Sequence, residues 1–327
     1  MKGTQLSKII IQIELIYYPI VAAIGVPVNL VTIVILSRGK CGLSTCITRY
    51  LVAMAVADLL VVITDVMWKR ISVTFTWHFI FLNLTPICCI REVLFHATTT
   101  CSVWLTIAFT FDRFAAICRQ KLKTKYCTEK TATVVIVSVC AFSCVINIPR
   151  YLEIEPLFII NNKPWFCVVK PSFYYSWIWT AFQLLQCILT PFIPFVLILL
   201  LNVLTIRYIL VTNAARRRLR GHSNGEHQND AEMQNRRRSI ILLFTVTGSF
   251  ICLWVTYVIT YIQYQVEFMA LNLTSDAGIV LRVGNMLRLF SCSTNTCIYA
   301  LTQSKFRKQL KNMMNYPLYQ ILILIRS

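Results

Sequence analysis

The chain has 327 residues, 57% hydrophobic and 14% charged, with 32 Lys and Arg against 13 Asp and Glu. A soluble domain carries about 25% charged residues, so this composition excludes an ordinary soluble fold. The net charge of +19 would suit nucleic acid in a soluble protein. In so apolar a chain it points instead to basic loops held on one side of a membrane, with no nucleic-acid partner.

Seven apolar runs lie near 11–37, 48–70, 86–118, 130–152, 174–209, 239–264 and 276–302. Each reaches the roughly 20 residues that span a bilayer. The first is too long for the h-region of a secretory signal, which takes about 7–15 residues. The expected fold is an all-α membrane protein: a short extracellular N-terminus (1–10), a seven-transmembrane helix bundle (11–302), and a cytoplasmic amphipathic helix and tail (303–327). No internal repeat is visible, which weighs against an inverted-repeat transporter.

The segments after runs one, three, five and seven hold 22 of the 32 bases, among them Arg38, Arg119, Arg216, Arg236 and Lys305. The positive-inside rule then puts the N-terminus outside the plasma membrane and the C-terminus in the cytoplasm. Two sequons, Asn83-Leu84-Thr85 and Asn272-Leu273-Thr274, fall in outside segments, where glycosylation operates. Cys88 or Cys89, at the outer start of run three, can pair with Cys167 between runs four and five. Cys88 is the first choice, and Cys89 is not excluded.

The basic segment 211–238 either fixes topology and touches anionic lipid or binds a partner. After run seven, Ser304 to Lys311 alternates bases with apolar residues, as an amphipathic eighth helix lying in the interface does. The end, Tyr316 to Ser327, is apolar but too short to span. The four histidines, His78, His96, His222 and His227, are scattered and have no metal-site spacing, so no intramembrane enzyme is expected.

Polar groups inside the runs are functional candidates, because hydrocarbon penalises them. They are Asn29, Asp58, Ser102, Ser291 and Asn295. Either they satisfy one another as packing glue, or they line a hydrated pocket holding Na⁺ near Asp58. Pro191 and Pro194 bend run five. Asp112-Arg113 closes run three with an adjacent acid and base, which is tolerable where the helix meets water.

In order, and at matching spacings, Asn29, Asp58, Asp112-Arg113-Phe114, Pro194, Trp254 and Asn295-Thr296-Cys297-Ile298-Tyr299 resemble the motifs of rhodopsin-like (class A) G-protein-coupled receptors. The resemblance covers about residues 11–312. Within that class the chain looks most like the orphan receptors named probable G-protein-coupled receptor 139 and 142. Val135-Ile136-Val137-Ser138-Val139, Pro194 with Asn202, and Gly284-Asn285-Met286-Leu287 carry this narrower likeness.

The resemblance implies a receptor whose extracellular ligand opens the inner end of helix six to a heterotrimeric G protein. Asp112, Arg113 and Phe114 would form the G-protein contact. Val103, Pro194, Phe250 and Trp254 would form the packing switch, with Asn202, Asn295 and Tyr299 as further switch positions. Asp58, Ser102, Ser291 and Asn295 match the family's allosteric sodium site; no other cofactor is implied. Several positions depart from the pattern. Phe114 replaces a tyrosine, Asn202 another, and Thr256 and Thr296 replace prolines. Arg236 stands where many relatives have an acid, leaving Asp112 as the partner of Arg113; raised basal signalling is expected.

Phe95 occupies the position of the aminergic aspartate, so an amine ligand is not expected. The groups facing the ligand are Arg91, Glu92, Phe95, His96 and Thr99 on run three, Tyr257 and Tyr261 on run six, and Asn285 and Arg288 on run seven. The likeness implies a small peptide or an aromatic amino-acid-like ligand. Its carboxylate would meet Arg288 or Arg91, its ammonium Glu92, and its ring Phe95 or Tyr257. The bland alternative makes Arg91 and Glu92 a wet rim pair. The runner-up functions are a seven-helix receptor that does not signal and, behind it, a transporter.

Overall fold

The computed structural model describes residues 2–72, 75, 78–118, 126–220, 230–269, 275–313 and 315. Among these, seven long helices form one bundle and a short eighth lies against one end of it, labelled the inner end from the loop charges. They are α1 (Lys2–Ser37), α2 (Thr45–Val61), α3 (Thr85–Cys118), α4 (Glu129–Asn147), α5 (Trp177–Arg220), α6 (Asp230–Met269), α7 (Ser275–Thr302) and α8 (304–313). The family of folds is the one expected from the apolar runs.

Helix ends follow local chemistry. Ser44 caps α2 by accepting from the Ile47 N–H, and Thr128 caps α4 by accepting from the Thr131 N–H. Glu129 adds a carboxylate to the first turn of α4, where the helix dipole favours it. Two helices change their winding. After Val61, α2 continues as a π-helical segment over Val62–Ile71, with the Ser72 N–H bonded to the Met67 carbonyl. Within α5 the π-helical stretch is Ile188–Phe192, around Pro191, which has no N–H to offer.

Six of the helices are long and apolar enough to cross a membrane by length and composition. The seventh carries Arg282 and Arg288 within its length. Bulky apolar side chains stay exposed along the outer faces, including Ile16 and Ile20 on α1, Val134 and Val137 on α4, and Val203 and Leu210 on α5. In water these faces would be unstable; against lipid tails they cost nothing. Helix packing relies on close approach at glycines. A Cβ on Gly25 would lie 2.8 Å from Ser293 Oγ, and one on Gly284 would lie 2.8 Å from the Tyr257 Cα. These contacts seat α1 and α6 on α7.

The observed bounds correct three expectations. The first run starts at Lys2 rather than near 11, because no Gly or Pro interrupts residues 4–18. So most of the expected N-terminal segment is helix. α5 runs to Arg220 and α6 begins at Asp230, so much of the expected basic loop is helical. Nothing between Pro194 and Gly221 breaks a helix. Asn272, the middle of the basic segment (221–229), Arg119 and the end from Tyr316 lie outside the described residues.

Between α4 and α5 the chain makes a small β cap. β2 (Phe158–Ile160) pairs with β3 (Lys163–Trp165), turning at Asn161 and Asn162 with φ of 52° and 58°. Two successive positive φ values suit Asn and match the twist of a tight hairpin. β1 (Ile154–Glu155) pairs with β4 (Val168–Val169). A disulfide joins Cys88 to Cys167 and ties this cap to the start of α3. Cys89 is free and buried, which settles the open choice. The Phe166 N–H donates to the Asn83 carbonyl (2.7 Å), and the Thr85 hydroxyl donates to the Phe166 carbonyl (2.9 Å).

Candidate functional site

At the inner end of α3, Arg113 Nε donates to Asp112 Oδ2 at 3.0 Å, and Nη2 reaches the same oxygen. Both residues are buried, at 4% exposure each. Arg113 Nη1 also donates to Ser239 Oγ on α6 (3.3 Å), and Cys46 Sγ donates to Asp112 Oδ1 (3.1 Å). Asp112 is therefore the partner expected. Ser239, three residues past Arg236, links Arg113 to α6. The Arg236 side chain lies outside the described residues. Phe114 packs half-buried against the inner core, which also holds Leu105, Leu242, Leu243, Val246, Tyr299 and Phe306. Phe306 on α8 is fully buried, 5.9 Å from the Tyr299 ring, so α8 closes this core as an amphipathic helix should.

Higher in the bundle, Asn202 on α5 donates to its own Ile198 carbonyl (2.7 Å) and accepts from Thr247 Oγ1 on α6 (2.8 Å). Val103, Ile107, Ile198, Phe250 and Trp254 form one apolar cluster, with the Phe250 and Trp254 rings stacked at 4.8 Å. Pro194 is buried just past the π-helical stretch of α5.

Asp58 sits at the centre, 3% exposed. Ser102 Oγ donates to Oδ1 and Asn295 Nδ2 to Oδ2, both at 2.7 Å. Among the described residues no cationic side chain pairs with it. A cavity of about 20 Å³ beside it is lined by Asp58, Ser102, Thr106, Trp254, Ser291 and Asn295. That is room for about one water-sized species. A lone carboxylate with hydroxyl and amide oxygens around such a cavity fits a small monovalent cation. Ser291 lines the cavity, but its hydroxyl donates to the Arg288 carbonyl (2.6 Å) and accepts from Trp254 Nε1 (3.0 Å). Asn29 does not join the group. Its amide donates to the Gly25 and Cys292 carbonyls, each at 2.9 Å, and so ties α1 to α7. Thr296 does the same through the Val28 carbonyl (3.0 Å) and the Thr32 hydroxyl (2.7 Å).

The outer half of the bundle holds a dense ion network. Arg288, 1% exposed, donates through Nη2 to Asp65 Oδ2 (2.5 Å) and to Asn285 Oδ1 (3.3 Å), and through Nη1 to Thr99 Oγ1 (3.5 Å). Its guanidinium lies 5.2 Å from the Tyr257 ring, 5.8 Å from Trp254 and 5.9 Å from Phe95. Arg70 donates to Asp65 Oδ1 (2.9 Å) and to the Tyr18 hydroxyl (2.6 Å). Tyr18 in turn donates to Glu14, whose other oxygen takes Arg282 at 2.7 Å. Lys69 pairs with Glu92 (2.7 Å) and sits 4.0 Å over the Phe95 ring. His96 Nδ1 bonds the Glu92 carbonyl (2.8 Å), and Tyr261 stacks on Tyr257 at 5.4 Å.

Four of the nine expected ligand-facing residues, Phe95, Thr99, Tyr257 and Asn285, thus surround the guanidinium of a fifth, Arg288. Two expectations change. Arg91 and Glu92 are 7% and 6% exposed and 3.4 Å apart, so they are not a wet rim pair. Arg288 and Glu92 already hold internal partners, because Asp65 and Lys69 reach them from α2. Sequence reading missed Glu14, Asp65, Lys69, Arg70 and Arg282. An acid seven residues after Asp58, followed by two bases, was the available signal.

Asn83 also differs from expectation. It is 6% exposed and its Nδ2 is buried, so no glycan can be carried there in this arrangement.

Residues 28–299, from just before Asn29 to Tyr299, match the family model of the 7 transmembrane receptor (rhodopsin family). The chain belongs to that family and is a multi-pass membrane protein. It is similar to the FMRFamide receptor of Drosophila melanogaster, 24% identical over 308 residues, covering 88% of this chain and 51% of that one. The sex peptide receptor of the same species is 22% identical, covering 86% and 68%. G-protein coupled receptor 15 of Mus musculus is 25% identical, covering 90% and 77%. The chain thus spans about half the length of the FMRFamide receptor it matches.

Proposed function

We propose that the chain is a G-protein-coupled receptor for a short extracellular peptide with an aromatic side chain, and that it activates a heterotrimeric G protein through Arg113. The reading places the β cap and the N-terminus outside the plasma membrane and α8 in the cytoplasm, as the loop charges ask. One observation carries it: the outer ion network reaches through Arg288 to Trp254 and Phe250, which pack with Val103 and Ile107 on α3, the helix that carries Arg113. A ligand that shifts Arg288 acts on Trp254 directly, and the equilibrium moves by its differential affinity for the two states.

The exposed apolar residues Leu157, Phe158, Ile159 and Ile160 on the cap offer an extended ligand more surface than one amino acid needs. Two similar receptors bear the names of peptides, which supports the peptide over the single amino acid. The likeness to the 139/142 group adds the aromatic ring, placed against Phe95 or Tyr257. An allosteric Na⁺ belongs to the same proposal, held by Asp58, Ser102 and Asn295 with Ser291 at the cavity wall. When bound, it supplies the positive charge that Asp58 lacks. Asn272 is the glycosylation site that remains in the reading. Among the described residues Arg113 is held by Asp112 and Ser239, so its restraint is light and basal output is raised.

The test is G-protein dissociation in cells, basal and across a library of short peptides, against Arg113→Ala at matched surface density. Activity above that control is the expected result. Output equal to the control for every subtype and peptide would sink the proposal.

A further inference from the structure

Among the described residues, the ion pairs of the outer network join five cations, Lys69, Arg70, Arg91, Arg282 and Arg288, to three acids, Glu14, Asp65 and Glu92. The excess is two positive charges, with Asp65, Arg288, Arg91 and Glu92 buried and Lys69, Arg70 and Arg282 partly exposed. Asp65 is its centre: it is fully buried and takes Arg70 on one oxygen and Arg288 on the other. Arg288 touches Trp254 in two ways, by its guanidinium at 5.8 Å and through Ser291, which joins the Arg288 carbonyl to Trp254 Nε1. The unpartnered buried side-chain atoms of these charged residues are all donors: Arg288 Nε, and Arg91 Nε and Nη1. A buried donor without a partner is costly. Among the described residues, these N–H groups have no acceptor.

We infer that Asp65 is a positioning residue that holds Arg288 against Trp254 in the resting receptor, and that activation hands Arg288 from Asp65 to an acceptor group on the ligand. The inference rests on the receptor reading above. It adds a residue on α2 to the signalling path and fixes the chemistry of the activating group, an anionic or carbonyl acceptor. A ligand group of that kind meets the orphan guanidinium N–H groups, and an anionic one also offsets the excess charge. Once Arg288 has a second acceptor, the Asp65 pair no longer fixes it on Trp254. The resting character of the arrangement is set by the inner end, where Arg113 still reaches Ser239 on α6.

Basal G-protein dissociation in cells tests this, with surface density measured in parallel. Asp65→Asn removes the charge and keeps the shape. It should raise basal output roughly fivefold or more, within the usual range of allosteric couplings. Asp65→Glu keeps the charge and should restore most of the resting state. The swapped pair, Asp65→Arg with Arg288→Asp, should lie closer to wild type than Asp65→Asn does. A merely structural Asp65 would lower surface density and thermal stability without raising output per receptor.

Asp112→Asn, at the inner end, serves as a control that acts without Asp65. If it raises output while Asp65→Asn stays at the wild-type level, the inference is overturned and the receptor reading stands. If neither variant nor wild type exceeds Arg113→Ala, the receptor reading falls and this inference falls with it.

Discussion

Thr247 and Asn202 form a buried hydrogen bond between α5 and α6, and its removal gives a sharp test of how the resting bundle is held. In Thr247→Val the hydroxyl is lost and the shape is nearly kept. Asn202 Oδ1 then loses the donor at 2.8 Å, while its Nδ2 keeps the Ile198 carbonyl at 2.7 Å. In soluble proteins a buried acceptor left alone costs about 1–3 kcal/mol. Side-chain bonds within membranes average about 0.6 kcal/mol, with a ceiling near 1.7. One further fact lowers the figure. The single Thr247 proton also has the Leu243 carbonyl within 2.9 Å, so it is shared between two acceptors. About 0.5 kcal/mol is the resulting expectation, roughly a twofold shift in an equilibrium that separates α5 from α6. The assay is a double-mutant cycle, Thr247→Val, Asn202→Leu and both, read by thermal unfolding of purified receptor and by basal G-protein output. The double variant should cost less than the two singles together, because neither polar group is then left alone. Additivity within about 0.3 kcal/mol would show that the two residues do not act on each other, and the argument would fail.

Loss of the disulfide should show as loss of surface receptor. Cys88→Ser and Cys167→Ser should each reduce it, the double variant no further, and Cys89→Ser should leave it in place; surface immunostaining decides. The chain-entropy bound for so long a loop is about 4 kcal/mol, less here because the membrane already restrains both ends. Sodium should stabilise the protein: replacing choline chloride by NaCl should raise the Tm of wild type and leave Asp58→Asn unmoved. At tenfold over Kd the gain is about 1.4 kcal/mol; an equal rise in both would remove Asp58 from the site. Asn83→Gln should leave the glycosidase-sensitive gel shift unchanged, since Asn83 Nδ2 is buried; a lost shift would show that the amide is reachable.

Much of the inner machinery could be read from residue types and their order. Asp112 and Arg113 are neighbours and Phe250 lies one turn before Trp254, so local geometry brings these pairs together. Asp58, Ser102 and Asn295 sit on three helices and were legible through the resemblance of the ordered motifs. The outer network was harder to see. Asp65, Lys69 and Arg70 lie in the π-helical segment, where i→i+5 bonding breaks the period by which faces are assigned. Glu14 and Arg282 are 268 positions apart and meet only because α1 packs on α7. Ser239 and Thr247 are common residues whose role depends on the rotation of α6.

What the sequence determined by itself is the membrane class, the seven spans, the loop-charge asymmetry and the ordered motifs, because each depends on local composition and spacing. The tertiary structure decided which cysteine closes the cap, that Asn83 is buried, and that Arg288 already has a counter-ion. It also decided that Arg113 meets α6 through a serine. These depend on distances between segments far apart in the chain, and in a bundle those distances follow from packing, which no single segment encodes.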